Sequence, residues 1–306
     1  MKVYKKMASA PAIAFELAGL ADLQAAQEAG GAWCAPVIEK STTYLTTAFV
    51  TRRPPTRTAA RAFGRALAYT HAYLPTPGTN RLFGQAPSGF SAKSGFMGAT
   101  SLPLISAAGP RRSFGEFYGA DRLLPYLPAA LANGSIDIRG GKLIEKLAEK
   151  LRDGAFDSPQ PQLVKSDAAL LHGDLWSGNL LWGIPPTLPA PLPNAKSAPA
   201  STQTAQTAQS STFPTPHAAA ESIAGILIDP ASHGGHSESD LAQLGVFGAD
   251  FIPDIYAGYE EVSPLASGWE ERIGLHQLHM LIVHAAIFGG GYGAAVIDIA
   301  QKKEIK

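Results

Sequence analysis

His172, Asp174 and Asn179 stand in the spacing H-x-D-x-x-x-x-N, within the run HGDLWSGN, and the apolar run Gly225-Ile226-Leu227-Ile228 delivers one more carboxylate at Asp229. Phosphoryl transfer to a hydroxyl asks for such a set. One carboxylate takes the proton of the attacking hydroxyl, while an amide and a second carboxylate hold a divalent cation against the phosphates. Four residues separate Asp174 from Asn179, so base and metal ligand sit on one short loop. The run before Asp229 reads as a short buried strand, which would present that carboxylate at a rigid strand end. An H-x-D pair alone is common; the amide at its offset and the strand-borne aspartate make the pattern specific. The competing reading has His172 and Asp174 satisfying a buried loop's backbone and Asp229 capping the turn before Pro230.

These groups need elements to position them. Residues 3–6 read as a strand, 12–29 as a helix ending at Gly30-Gly31, and 43–50 as a β-branched strand. Together they form a small unit over 1–50, with a hinge near 49–53. Pro54-Pro55 then introduces a helix over 56–73, in which Ala59, Phe63, Ala66, Leu67 and Thr70 recur at helical spacing. Residues 75–112, rich in Gly, Pro and Ser, read as a long and mostly irregular segment. A clear amphipathic helix covers 142–153, with Leu143, Ile144, Leu147 and Leu151 on one face and Gly154 just beyond. Helices also fit 239–247 and 269–288.

Residues 184–220 differ from the rest. They hold eight of the 24 prolines, much Ala, Thr, Gln and Ser, and a single charge at Lys196. Such a composition is expected to be disordered. The segment falls between Leu180-Leu181-Trp182 and Ile226-Leu227-Ile228, lengthening a hairpin between the two halves of the site. Expanding a short turn to this length costs only about 1.8 kcal/mol in loop closure.

A chain of 306 residues exceeds the usual single core, so two lobes are expected. Apolar residues make up 45% and mean hydropathy is +0.02, as in a globular protein. Net charge is zero, and no basic cluster exceeds pairs such as Arg52-Arg53, which argues against a nucleic-acid partner. The lone Cys34 rules out an intrachain disulfide and suits a reducing cytoplasm. No signal-peptide core follows the basic start, and the longest apolar run, near 280–288, is too short to span a bilayer.

His233 and His236 straddle two glycines, and His276, His279 and His284 share one expected helix. A zinc site wants ligands converging at defined spacing; structural roles fit these histidines better, with His236 nearest in sequence to Asp229. Gly289-Gly290-Gly291 follows a helix, whereas a phosphate cradle precedes one, so it reads as a helix cap and turn.

The wording of the central stretch is narrower than the general pattern. HGDLWSGN, IDPASHGGHSESDLAQLGVFG and GLHQLHMLIVHAAIFGGGYG resemble the fructosamine kinase (ketosamine 3-kinase) family, a branch of the aminoglycoside-phosphotransferase-like kinases. The resemblance runs from SFGEFYGADRLLPYL, near Phe114, to Tyr292, and is traceable through Phe63-Gly64-Arg65-Ala66-Leu67 back to Val3. It implies a two-lobed, protein-kinase-like α+β fold, with a truncated N-lobe over 1–50 and a mostly helical C-lobe over 51–306. It also implies ATP-dependent, Mg²⁺-assisted phosphorylation of a sugar hydroxyl on a ketosamine or glycated amine, with neither nucleic acid nor membrane as partner.

Residue by residue, the resemblance makes Asp174 the catalytic base, Asn179 and Asp229 the Mg²⁺ ligands, and His172 a structural member of the catalytic loop. It likens Val3-Tyr4-Lys5 to the strand bearing the phosphate-binding lysine, and Glu16 to the helix glutamate that pairs with it. Lys6 competes with Lys5, because adjacent strand residues face opposite sides. The family's glycine loop and preceding strand have no counterpart here, since the chain starts at Met1 almost on the lysine. Weak ATP affinity and self-association through an unpaired strand edge are therefore expected. Where the family reads histidine-arginine-glutamate, this chain has His236-Ser237-Glu238. The rival readings are a kinase of another small hydroxyl acceptor, aminoglycoside- or choline-like, and a non-catalytic binding protein.

Overall fold

A computed structural model of the chain describes residues 2–186 and 222–304. Beyond its first three residues, the insertion expected over 184–220 lies outside the described residues. The chain opens with strand β1 (Val3–Met7), helix α1 (Ala10–Glu28) and strands β2 (Trp33–Cys34), β3 (Val37–Lys40) and β4 (Tyr44–Ala48). After them come α2 (Arg57–Ala72), the hairpin β5 (Ser94–Met97) and β6 (Thr100–Pro103), the short helices α3 (Phe114–Phe117) and α4 (Leu127–Ala132), and α5 (Ile138–Arg152). β7 (Ala169–Leu171), β8 (Leu180–Gly183), β9 (Ala224–Leu227) and β10 (His233–Gly235) lead into α6 (Ser237–Gln243), α7 (Ile252–Val262), α8 (Trp269–Phe288) and α9 (Tyr292–Glu304).

β1, β4 and β3 form an antiparallel sheet in that order, with Lys5 opposite Thr46 and Lys6 opposite Leu45. α1 carries Pro11 in its first turn, where a missing N–H removes no helical bond, and lays Ile13, Phe15, Leu20 and Leu23 into the core. β9 pairs antiparallel with β8 and parallel with β2, which joins the first unit to the strand leading to Asp229. α2 is capped by Thr56, whose hydroxyl accepts from the Ala59 N–H at 3.1 Å. It packs tightly on α7, since a Cβ on Gly64 would sit 2.0 Å from the Ile255 carbonyl oxygen.

The helical lobe is organised around α8, which packs on α9, α6 and α4 and buries Leu275, Leu278, Met280, Ile282 and Val283 in a core shared with α4, α5 and α9. Among the described residues, no helix is long and apolar enough to cross a membrane. The stretch 75–112 is not irregular throughout. Gly98, at φ +57°, permits the tight turn that closes the β5–β6 hairpin. α5 starts one turn earlier than expected, because Asp137 caps it through the Gly140 N–H at 2.6 Å ahead of two helix-weakening glycines.

Candidate active site

β7 ends at Leu171, and the chain turns at Gly173, whose φ is +84° and where a Cβ would lie 2.1 Å from the Ala231 carbonyl oxygen. Only glycine fits such a turn. Asp174 follows at once. Asn179 folds back across the loop and donates from Nδ2 to both the backbone oxygen and Oδ2 of Asp174, each at 2.9 Å. With its donors spent there, the amide oxygen is left for another partner.

Asp229 lies two residues past the end of β9 in the left-handed region, at φ 52°, a conformation aspartate tolerates at a cost of about 1–3 kcal/mol. His172 fastens it to the loop. The ring Nε2–H donates to the Ile228 carbonyl at 2.8 Å, Nδ1 accepts the Asp174 N–H at 3.3 Å, and the Ile228 N–H returns to the Asn179 carbonyl at 3.1 Å. Burial lowers the basicity of His172, consistent with a neutral ring using both nitrogens.

Beneath the loop, the buried carboxylate of Asp240 accepts the N–H groups of His172 at 2.7 Å and Gly173 at 3.0 Å, with His71 Nε2 at 3.3 Å. Burial works to raise its pKa, but His71 and the loop amides outweigh that and hold it below the ordinary carboxylate value. Gln243, also on α6, accepts the Leu175 N–H at 2.9 Å.

On the other wall, Lys6 Nζ lies 2.8 Å from Glu16 and 3.3 Å from Asp229 Oδ1. Burial opposes its charge, yet the two carboxylates prevail and raise its pKa. Lys5 turns to the opposite face, its ammonium 3.7 Å above the Tyr44 ring. The expected pairing of Lys5 with Glu16 is therefore corrected: Lys6 makes it. Alternation forces one lysine away from the cleft, and the direction in which β1 faces α1 decides which.

Asp174, Asn179, His172, Asp229 and Glu16 thus come together as the sequence expects, and Lys5 does not. Lys6, Glu16 and Asp229 line a cleft of about 290 Å³ whose apolar walls include Leu45, Leu181 and Ile228. Burial pushes Asp174 up to about 6; Asn179 and Lys6 oppose that, while Asp229 and Asp240 add to it. A carboxylate of raised basicity can accept a proton here, beside an amide oxygen and a carboxylate that could hold a cation and an ammonium that could hold an anion.

The remaining histidines lie elsewhere. His236 and His276 gather around Glu238, but Arg272 bonds both of that carboxylate's oxygens at 2.8 and 2.6 Å, and Ser239 holds His276 Nδ1 at 2.9 Å. His236 Nδ1 accepts the Glu238 N–H at 3.2 Å and so caps α6. Both oxygens of Glu238 are thus already engaged by a guanidinium.

The sequence pattern of the fructosamine kinase family matches residues 2–185 and 214–303. The chain belongs to that family. The ketosamine-3-kinase of Mus musculus is 29% identical over 191 residues, covering 62% of this chain and 47% of that protein. A chloroplastic protein-ribulosamine 3-kinase of Oryza sativa subsp. indica is 28% identical over 189 residues, covering 60% of this chain and 40% of that protein. In both cases less than half of the relative's own length is spanned. A solved structure from Thermobifida fusca, described as a candidate fructosamine-3-kinase, is 29% identical, with a TM-score of 0.72 across 99% of this chain and 86% of that one. The two-lobed α+β architecture is that of a fructosamine kinase.

In this fructosamine kinase fold, Asp240 and Gln243 are the residues at the site that sequence reasoning did not single out, and Lys6 stood there only as the competitor of Lys5. For Lys6 the missing signal was strand facing. Asp240 and Gln243 had none, because they act from a distant helix on backbone groups, which leave no trace in spacing.

Proposed function

We propose that this chain transfers the γ-phosphoryl group of ATP to a sugar hydroxyl of a ketosamine, the sugar adduct of a glycated amine. A cleft lined by Lys6, Glu16 and Asp229, with the bonded Asp174–Asn179 pair tied to the Asp229 strand end through His172, carries this reading. Asp174 accepts the proton of the acceptor hydroxyl, and its raised basicity suits that task. The donor set fits Mg²⁺, a hard cation that takes oxygen ligands: a carboxylate from Asp229 and the amide oxygen of Asn179, whose nitrogen is committed to Asp174. When bound, the ion neutralises charge on the phosphate oxygens. Lys6, oriented by Glu16, binds the phosphates, and the apolar walls of the cleft receive the adenine. His172 keeps the base and the metal-binding strand end in register.

The choice of a ketosamine acceptor is supported by family membership and by the names of the mouse and rice relatives. A reducing compartment such as the cytoplasm is supported by the lone cysteine, Cys34, which has no intrachain partner for a disulfide. Self-association through the β1 edge is supported by Val3 and Met7, 47% and 65% exposed.

The test is ATP turnover with a fructosyl-amine, with choline and an aminoglycoside run in parallel, following ADP release and the phosphate on the product. Phosphorylation of the ketosamine is the expected result. Preference for another acceptor, or a folded chain that turns over no ATP, overturns the reading.

A further inference from the structure

Arg122 sits in the core at 1% exposure. Its Nη1 donates to the carbonyl oxygens of Pro103 at 3.0 Å and Asp121 at 3.1 Å, and its guanidinium carbon lies 4.5 Å from the Phe117 ring centre. Among the described residues, no carboxylate forms an ion pair with it. The neighbouring Asp121 carboxylate is held by Arg112 at 2.6 Å, and Asp240 is committed to His71 and the loop amides. Nε and Nη2 of Arg122 are buried and meet no acceptor among the described residues. Burial lowers its pKa to about 10, which still leaves the group charged at neutral pH. Asp121 acts on this guanidinium only from beyond ion-pair range, and a buried cation with no direct anionic partner carries a heavy desolvation penalty.

The same side chain lines a small internal cavity, bounded also by Tyr118, Leu171, His233, Ser239 and Gln243. About 10 Å³ is open there to a ligand's centre, room for one atom-sized ligand. That size suits a monatomic ion better than a carboxylate, phosphate or sulfate. The guanidinium sets the sign of the charge, because burial pushes the neighbouring His233 down to about 3 and keeps it neutral.

We propose that this cavity binds a single halide ion, chloride under ordinary conditions, held by the Nε–H and Nη2–H edge of Arg122. Its walls reach the loop that bears Asp174: Leu171 leads directly into His172, and Gln243 holds the Leu175 N–H. An ion seated there braces that loop from below. The site is independent of the kinase reading and stands or falls separately.

Crystals of the full chain soaked in sodium bromide test it directly. The expected result is one anomalous peak bonded to Arg122 Nε and Nη2; a water refining there without anomalous signal overturns the proposal. In solution, the melting temperature of the wild type is expected to be higher in chloride than in gluconate at equal ionic strength, and Arg122→Met to remove the difference. Equal wild-type melting temperatures in the two salts count against the site. Should Arg122→Met fail to fold, the bromide experiment on the wild type decides alone.

Discussion

Lys6 and Glu16 meet at 2.8 Å across the gap between β1 and α1. The pair fixes an ammonium beside Asp229, while Lys5, one residue earlier, is spent on the Tyr44 ring. Lys6→Met is expected to lower kcat/KM by roughly 10²–10³-fold, the usual loss when one preorganised charge partner is removed. Lys5→Met should leave it within a few-fold. Steady-state kinetics with varied ATP separate the two; equal losses would refute the assignment.

Asp174→Asn keeps the size of the side chain while removing its ability to take a proton. Turnover should fall by about 10²–10⁴-fold with the melting temperature nearly unchanged. Undiminished turnover in a folded variant would sink the role of general base.

Asp229→Asn preserves the left-handed backbone, since asparagine tolerates that region, and so isolates the charge. This variant and Asn179→Ala are both expected to raise the Mg²⁺ concentration needed for half-maximal rate. If neither shifts it, the metal sits elsewhere.

Asp240→Asn replaces the charged acceptor under the catalytic loop with a neutral one. Bonds from His172 and Gly173 weaken, so stability should drop by about 1.5–3 kcal/mol and turnover should fall as Asp174 loses its fixed position. Urea denaturation and kinetics on the same preparation check both.

Acid should act on this protein through its buried histidines before its carboxylates. Burial pushes His236 down to about 4 and His233 to about 3, and places His279 well below its ordinary value. The unfolded chain takes up these protons near pH 6.5 and the folded chain does not. Stability is therefore full above pH 6.5 and declines as pH falls toward 4. At pH 5, His236 alone accounts for up to about 2 kcal/mol. Denaturation midpoints from pH 7 to 5 should show this slope, and His236→Gln should make it shallower. A flat wild-type profile would mean these rings titrate normally.

Much of this architecture was legible from residue order alone, because its signals are local. The His172–Asn179 loop and the strand end at Asp229 were readable from spacing, and α8 from an apolar run of the right length. What escaped notice depends on distant partners. Lys5 and Lys6 are equivalent until β1 is placed against α1. Asp240 acts across 68 residues on the His172 amide. β2, two residues long, is too short to show a period, and the β5–β6 hairpin hides among Gly and Ser.

That shortest strand has the widest reach. Trp33 and Cys34 run beside Ile226 and Leu227 in parallel, the Ala35 N–H extends the ladder to the Leu227 carbonyl at 3.0 Å, and the Arg53 N–H bonds Trp182 at 2.9 Å. The two jaws of the cleft therefore share a backbone seam. Swinging one jaw away as a rigid body would tear the bonds of buried Cys34 and Ala35 to β9, where each is expensive to leave unmade. In the kinase proposed above, nucleotide exchange is expected to proceed by flexing of the outer sheet, β1, β4 and β3. A vice with a welded hinge keeps its gauge, and such a cleft is expected to admit ligands by what fits the gap rather than by what it can close upon.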